Sequence, residues 1–312
     1  MKRIFVCLLT LSLLLSLAAC GAPAEPTVPA TDAPAAEVTG EAPTEMPTEA
    51  PAEVPTEAPA ITLEKLELVN SEEVTFTVTE FQNNEHLGLQ MHVYCENKSE
   101  RPMIFSLDGV SVCGIMYDPF LAEEVAPGKA VNSIVSFDTF DLEQMGVRSV
   151  DEINFRLSVI DSEEWMNEPF VDEYFTVYPT GLDADRVVYP EYQHKNGETI
   201  LLDDQILFIV EKVDDIDGDL YTLNCYIANR TDKDLLISWD NVSVNGMMVD
   251  PFWASAVGAG KQLYTQISFY RSDLEAQGIE TVSEIEFTLC AYDYSSFDGN
   301  AVLEQTITYL PN

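Results

Sequence analysis

The heptapeptide Asp108-Gly109-Val110-Ser111-Val112-Cys113-Gly114 returns 132 residues later as Asp240-Asn241-Val242-Ser243-Val244-Asn245-Gly246. Reading outward at the same offset, Asp118-Pro119-Phe120 meets Asp250-Pro251-Phe252, and Gly128-Lys129 meets Gly260-Lys261. Ser136-Phe137 meets Ser268-Phe269, Asp141-Leu142-Glu143 meets Asp273-Leu274-Glu275, and Glu152-Ile153 meets Glu284-Ile285. Residues 88–161 share 28 identities in 74 positions with 220–293, without a gap. Solenoid repeats run ~20–50 residues, so a period this long is a duplicated domain.

The duplicated pattern is β. Ile153, Phe155, Leu157 and Val159 alternate with polar positions, as do Ile285, Phe287, Leu289 and Ala291. Period-two strands bury one face and wet the other. Asn245-Gly246 is a two-residue hairpin signal, since both residues accept the positive φ of a type I′ turn; Cys113-Gly114 stands opposite it. Strands are expected at about 74–81, 87–96, 103–112, 115–118, 129–137, 153–160 and 173–178, and again 132 residues on. One short helix per repeat is expected, capped by Asp141 or Asp273 and ended by Gly146 or Gly278. The fold class is therefore all-β: two tandem immunoglobulin-like sandwiches, module 1 over 61–180 and module 2 over 181–312. There is no Cys-Trp-Cys framework, so only the architecture follows.

The chain has 312 residues and a formal net charge of −39. Phosphate binding needs clustered Lys and Arg, so nucleic acid is excluded as a partner. Electrostatic docking on an anionic membrane surface is excluded for the same reason. Hydrophobic residues make up 46%, too many for a disordered acidic chain.

The first 60 residues read as an address and a stalk. Lys2 and Arg3 precede an apolar run from Ile4 to Leu17, too short for a permanent membrane span and typical of a signal peptide. Leu17-Ala18-Ala19-Cys20-Gly21 resembles the lipobox of bacterial lipoproteins. That resemblance implies cleavage after residue 19, lipidation of Cys20 and a lipid-anchored place on the extracytoplasmic face of the cell membrane. Residues 20–60 then hold Pro-Thr-Glu-Ala variants such as Pro55-Thr56-Glu57-Ala58-Pro59, with no aromatic residue to bury. A disordered tether is expected, reaching ~120 Å at most.

The repeat as a whole resembles uncharacterised immunoglobulin-like modules in lipoproteins of gut Firmicutes such as the Clostridia. The resemblance rests on Asp-Pro-Phe, the Gly-Lys turn and the Asp-Leu-Glu-x-x-Gly stretch. These are structural punctuation, and no activity comes with them.

Four groups of residues invite a chemical reading. Trp165 and Phe297 align in the loop after the alternating strand, and Phe252-Trp253 follows the second hairpin with Phe120-Leu121 opposite. Exposed rings on a sandwich can stack on sugars or anchor a protein, although one ring of each adjacent pair is expected to cap the core. Trp239 is expected in the core. Asp214, Asp215, Asp217 and Asp219 form an oxygen-rich cluster of the kind calcium uses, but without EF-hand order; a polar hairpin turn is the leading reading. Cys95, Cys113, Cys225 and Cys290 align with Ile227, Asn245, Val93 and Ser158, so no repeated disulfide framework exists and free thiols are expected. His86, His92 and His194 recur nowhere, and no nucleophile elbow, zinc helix or phosphate loop is present.

The expected function is a membrane-anchored, non-enzymatic binding or adhesion module for a protein or glycan, with no cofactor. The alternative is a structural spacer or envelope assembly subunit, and a divergent hydrolase stands third.

Overall fold

The computed structural model describes residues 65–164, 166–192, 197–215, 218–296 and 299–311, all within one compact unit, Thr56–Asn312. The expected signal peptide, Cys20 and the expected tether lie outside the described residues. The first module runs β1 (Leu66–Asn70), β2 (Val74–Asn84), β3 (Gly88–Asn97), β4 (Met103–Val112), β5 (Ile115–Met116), β6 (Ala122–Val125), β7 (Lys129–Phe137), α1 (Thr139–Gln144), β8 (Ile153–Asp161) and β9 (Val171–Val177). The second repeats it: β10 (Glu198–Leu202), β11 (Ile206–Asp214), β12 (Leu220–Asn229), β13 (Leu235–Val244), β14 (Met247–Met248), β15 (Ala254–Val257), β16 (Gln262–Tyr270), α2 (Arg271–Ala276), β17 (Ile285–Asp293) and β18 (Ala301–Tyr309).

Each module is a two-sheet sandwich. One sheet has the order β1-β2-β3-β7; the other sets β4 beside β8 and β9, with β5 and β6 also on β4. Strands β2, β3 and β7 stand where A, B and E stand in an immunoglobulin fold, and β4, β8 and β9 where C, F and G stand. The second module matches strand for strand. β1 and β6, with their repeats, add to the expected set; both are short and lack the alternation that marks the long strands.

Local chemistry explains the shared details. The hairpin turns Cys113-Gly114 and Asn245-Gly246 have φ of 46° and 81°, and 50° and 78°, as a type I′ turn requires. A bulge between Asp108 and Ser111, repeated between Asp240 and Ser243, places Gly109 and Asn241 at positive φ. Gly146 and Gly278 end the helices at positive φ, and Val147 and Ile279 donate back to the carbonyls of Leu142 and Leu274 at 2.9 Å, a Schellman closure. The N-cap differs from expectation. Asp138, not Asp141, accepts from the backbone N–H groups of Phe140 and Asp141, while Tyr270 occupies the second cap without a side-chain bond. Asp141 and Asp273 sit one turn too late and lie inside the helix, where an acid still favours the N-terminal dipole.

The two cores spend their aromatic volume differently. In the first, Phe155 meets Phe76 at 6.3 Å and Phe175 at 6.1 Å. In the second, Phe287 stacks on Trp239 at 3.7 Å. Trp239 replaces Leu107 while Ile307 replaces Phe175, so the large ring that packs on the shared Phe sits on β9 in one core and on β13 in the other. Close-packed interiors tolerate that kind of exchange.

One polar residue is buried in both cores. Asn97 donates to the carbonyls of Arg101 at 2.6 Å and Val125 at 2.8 Å, and accepts from Ser99 N–H at 3.0 Å. Asn229 does the same with Lys233, Val257 and Thr231. Each pins the β3–β4 or β12–β13 turn to the end of β6 or β15, so a buried amide there is satisfied.

Candidate binding surface

The Asp-Pro-Phe loops follow the short strands β5 and β14. In each, one residue turns out and the next turns in. Phe120 is 83% exposed while Leu121 is buried, and Phe252 is 90% exposed. Trp253 joins the second core, 6.3 Å from Phe208 and 6.0 Å from Trp239, with its indole N–H donating to Thr265 Oγ1 at 3.2 Å. This corrects the placing of Trp253 among binding aromatics: the turn at Phe252 sends its ring outward, and the next side chain packs half-buried against the core. Phe252 holds φ at 50°, rare for an aromatic residue, in a turn that Asp250 closes by accepting Phe252 N–H at 2.8 Å. Trp165 and Phe297 lie outside the described residues. Met166, beside the first, is exposed.

A concavity lies where the modules meet, a cleft of about 480 Å³ lined by Asp108, Arg156, Tyr174, Asp234, Lys261 and neighbours. Tyr174 donates its phenol to Asp234 at 2.9 Å; burial, then that bond, pushes its pKa up to about 12. Arg156 forks onto Asp172, with one bond at 2.7 Å. That hydrogen bond holds the Asp172 carboxyl below its ordinary range, while burial raises Asp108. These groups answer one another.

The acidic loop is stapled rather than open. Asp214 pairs with Lys212 and accepts from Asn224 at 2.8 Å. Asp215 pairs with Arg271, whose guanidinium also donates to Gly218 O at 3.0 Å, and whose backbone N–H donates to Asp219 O at 2.9 Å. Asp217 lies outside the described residues. Among the described residues no three His, Cys, Asp or Glu side chains are grouped to hold a metal ion.

Cys95, Cys113, Cys225 and Cys290 are free and buried. Burial, with Glu123 adding a smaller effect, pushes the Cys95 thiol up to about 12, so it is a small apolar core residue and an unreactive thiol. The sequence reading missed the junction cleft. Its one signal was negative: Tyr174 aligns with Thr306 and Asp234 with Pro102, places where the copies diverge.

Strand order, bulges and turns define the described region as a tandem pair of immunoglobulin-like sandwiches. No family model matches the chain, and no curated protein matches it. Among solved structures, the Salmonella enterica SafA pilin in complex with the SafB chaperone aligns with a TM-score of 0.24 at 11% identity, over 78% of this chain and 98% of that one. Red sea bream transglutaminase gives 0.22 at 11% identity, over 75% of this chain and 31% of that one. A protein of unknown function from Porphyromonas gingivalis W83 gives 0.21 at 11%, over 78% and 94%. At such scores the likenesses carry no argument.

Proposed function

We propose that the protein is a membrane-anchored extracytoplasmic lipoprotein whose paired sandwiches bind a protein or glycan without chemistry. One observation carries the binding half: both modules present a phenylalanine at the same loop position, 83% and 90% exposed, while the next residue, Leu121 or Trp253, packs against the core. A ring that gains nothing from the core, kept in both copies, suits stacking on a sugar or filling a partner's pocket. The anchor half rests on Lys2-Arg3, the apolar run and Leu17-Ala18-Ala19-Cys20.

Mucin-coated surfaces and an array of immobilised glycans test the reading. The protein should bind at least one, and Phe120→Ala with Phe252→Ala should abolish binding while leaving the melting temperature unchanged. Undiminished binding by that double variant would overturn it. A second reading, a structural assembly unit, is favoured by the strand bridge that joins the modules into one sheet.

A further inference from the structure

The duplication leaves two faces uncovered that have partners inside the same chain. Within the chain, β16 of the second module runs parallel to β5 of the first, with Gln262 opposite Ile115. Gln262 N–H donates to Gly114 O at 2.9 Å. Lys261 reaches Glu152 at 3.9 Å, and Met116 of the first module packs against the second module's core. One sheet thereby crosses the junction in the order β10-β11-β12-β16-β5-β4-β8-β9.

The equivalent of each half is free at the far end of the pair. In module 2 the counterpart of β5 is β14, at the end of its sheet. Ile115 is buried and Met116 half-buried, but Met247 and Met248 are 43% and 65% exposed. Cys113 and Gly114 are likewise buried where Asn245 and Gly246 are exposed. In module 1 the counterpart of β16 is β7, also the last strand of its sheet. Gln262 is half-buried, whereas Lys129, Ala130 and Ile134 are exposed. An uncovered strand edge is a template for pairing.

The chemistry of the internal junction survives in these free halves. Lys129 is the repeat of Lys261, Glu284 of Glu152 and Met248 of Met116, each identical. The hairpin also fixes Glu284 as it fixes Glu152: Asn245 N–H donates to Glu284 O at 2.9 Å, and Cys113 N–H to Glu152 O at 3.0 Å.

We infer that the free hairpin of module 2 receives the β7 edge of a second copy of this chain, repeating the β5–β16 junction between molecules. Ala130 N–H donates to Gly246 O of the neighbouring copy, and Lys129 pairs with its Glu284. The contact is head-to-tail: it joins two different surfaces, leaves a free half at each end and so propagates as an open filament. It lacks the Tyr174–Asp234 bond, because Thr306 and Pro102 stand there, and it lacks the linker that makes the internal contact intramolecular. It is therefore the weaker of the two and depends on a high local concentration. This goes beyond the binding proposal and makes no use of the exposed phenylalanines.

The test uses the full chain with a zero-length carbodiimide, which couples a lysine amine to a carboxylate in contact with it. Digestion of the monomer band should yield the Lys261–Glu152 link, an internal control for the known junction. A ladder of dimers, trimers and larger species should appear, and its digest should contain the Lys129–Glu284 link. Lys129→Gln should remove the ladder and keep the internal link. A preparation that stays monomeric while the internal link forms would overturn the proposal. So would a ladder joined through other residues, or a series that stops at the dimer.

Discussion

Gln262 donates its backbone N–H to the carbonyl of Gly114 at 2.9 Å, a bond between residues of different modules that turns two sandwiches into one continuous sheet. The Gln262 side chain reinforces it, accepting from Tyr226 at 2.8 Å and donating to Pro190 O at 3.1 Å. Because this N–H points away from its own module, Gln262→Pro removes the donor and spares the β12–β16 ladder. The expected result is separate melting of the modules in calorimetry, with about 1–2 kcal/mol of coupling lost. Ala130→Pro, at the uncovered equivalent position, should leave the melting profile unchanged.

Tyrosines crowd the same junction. Tyr174 bonds Asp234, Tyr189 bonds Glu152 at 2.9 Å, and Tyr192 lies against Tyr226 at 4.4 Å between ring centres. Burial first, and then the carboxylate of Asp234, Glu152 or Glu211 beside Tyr174, Tyr189 or Tyr192, pushes each of these phenols and that of Tyr226 from 10.0 up to about 12. A raised pKa in the folded state means the unfolded chain loses its protons first. The stabilisation is fully present below pH 10 and is lost as pH rises towards about 12. Absorbance of ionised tyrosine should therefore rise together with loss of the junction's amide protection. Ionisation of Tyr174, Tyr189, Tyr192 or Tyr226 near pH 10 with the junction intact would contradict this.

Asn97 and Asn229 give the sharpest stability prediction. Each amide satisfies two or more carbonyls from separate segments. Asn229→Ala leaves those acceptors buried and unpaired, at an expected cost of about 2–3 kcal/mol in urea unfolding. Asn229→Asp should cost as much above pH 5, since a carboxylate cannot donate, and less in acid, where the protonated group donates once.

What was legible before the fold was known divides along the range of the interactions. Type I′ turns at Cys113-Gly114 and Asn245-Gly246, and the alternation of Ile153 to Val159, are properties of adjacent residues, so they could be read directly. The Asp138 cap was misplaced because two aspartates three residues apart both fit a cap, and only backbone geometry separates them. β6 was missed since Ala122-Glu123-Glu124-Val125 has no alternation; its place comes from pairing with β4. The outward Phe and inward neighbour in each Asp-Pro-Phe loop were visible as a pair but not as a choice between rings. The junction was hidden because it joins residues of different modules. It left a trace only as divergence between the copies, at Gln262 against Ala130 and Tyr174 against Thr306.

Phe252 and Phe120 should respond oppositely to glycine. Phe252 holds φ at 50° and Phe120 is not among the positive-φ residues. Phe252→Gly relieves backbone strain and should raise stability by about 0.5–1 kcal/mol, whereas Phe120→Gly should lower it by a similar amount through chain entropy. Denaturant midpoints of the two variants measure both signs. A Phe252→Gly variant less stable than the parent would show that the ring rests on the core.

Moving the large ring back to the other strand tests the packing argument. Trp239→Leu copies residue 107 into the second core and empties the space facing Phe287 at 3.7 Å. Truncating a buried Trp to Ala costs about 3–5 kcal/mol, and keeping a Leu in its place costs less. Here the loss should fall towards the low end, because the Trp239 indole N–H is buried without an acceptor and its removal relieves an unpaired donor. Adding Ile307→Phe restores the arrangement of Phe155 and Phe175 and should recover at least half of the loss. The two changes meet through Phe287, so their effects should be non-additive in a double-mutant cycle. Strict additivity would mean that the two cores solve the packing independently and that the ring exchange between them is incidental.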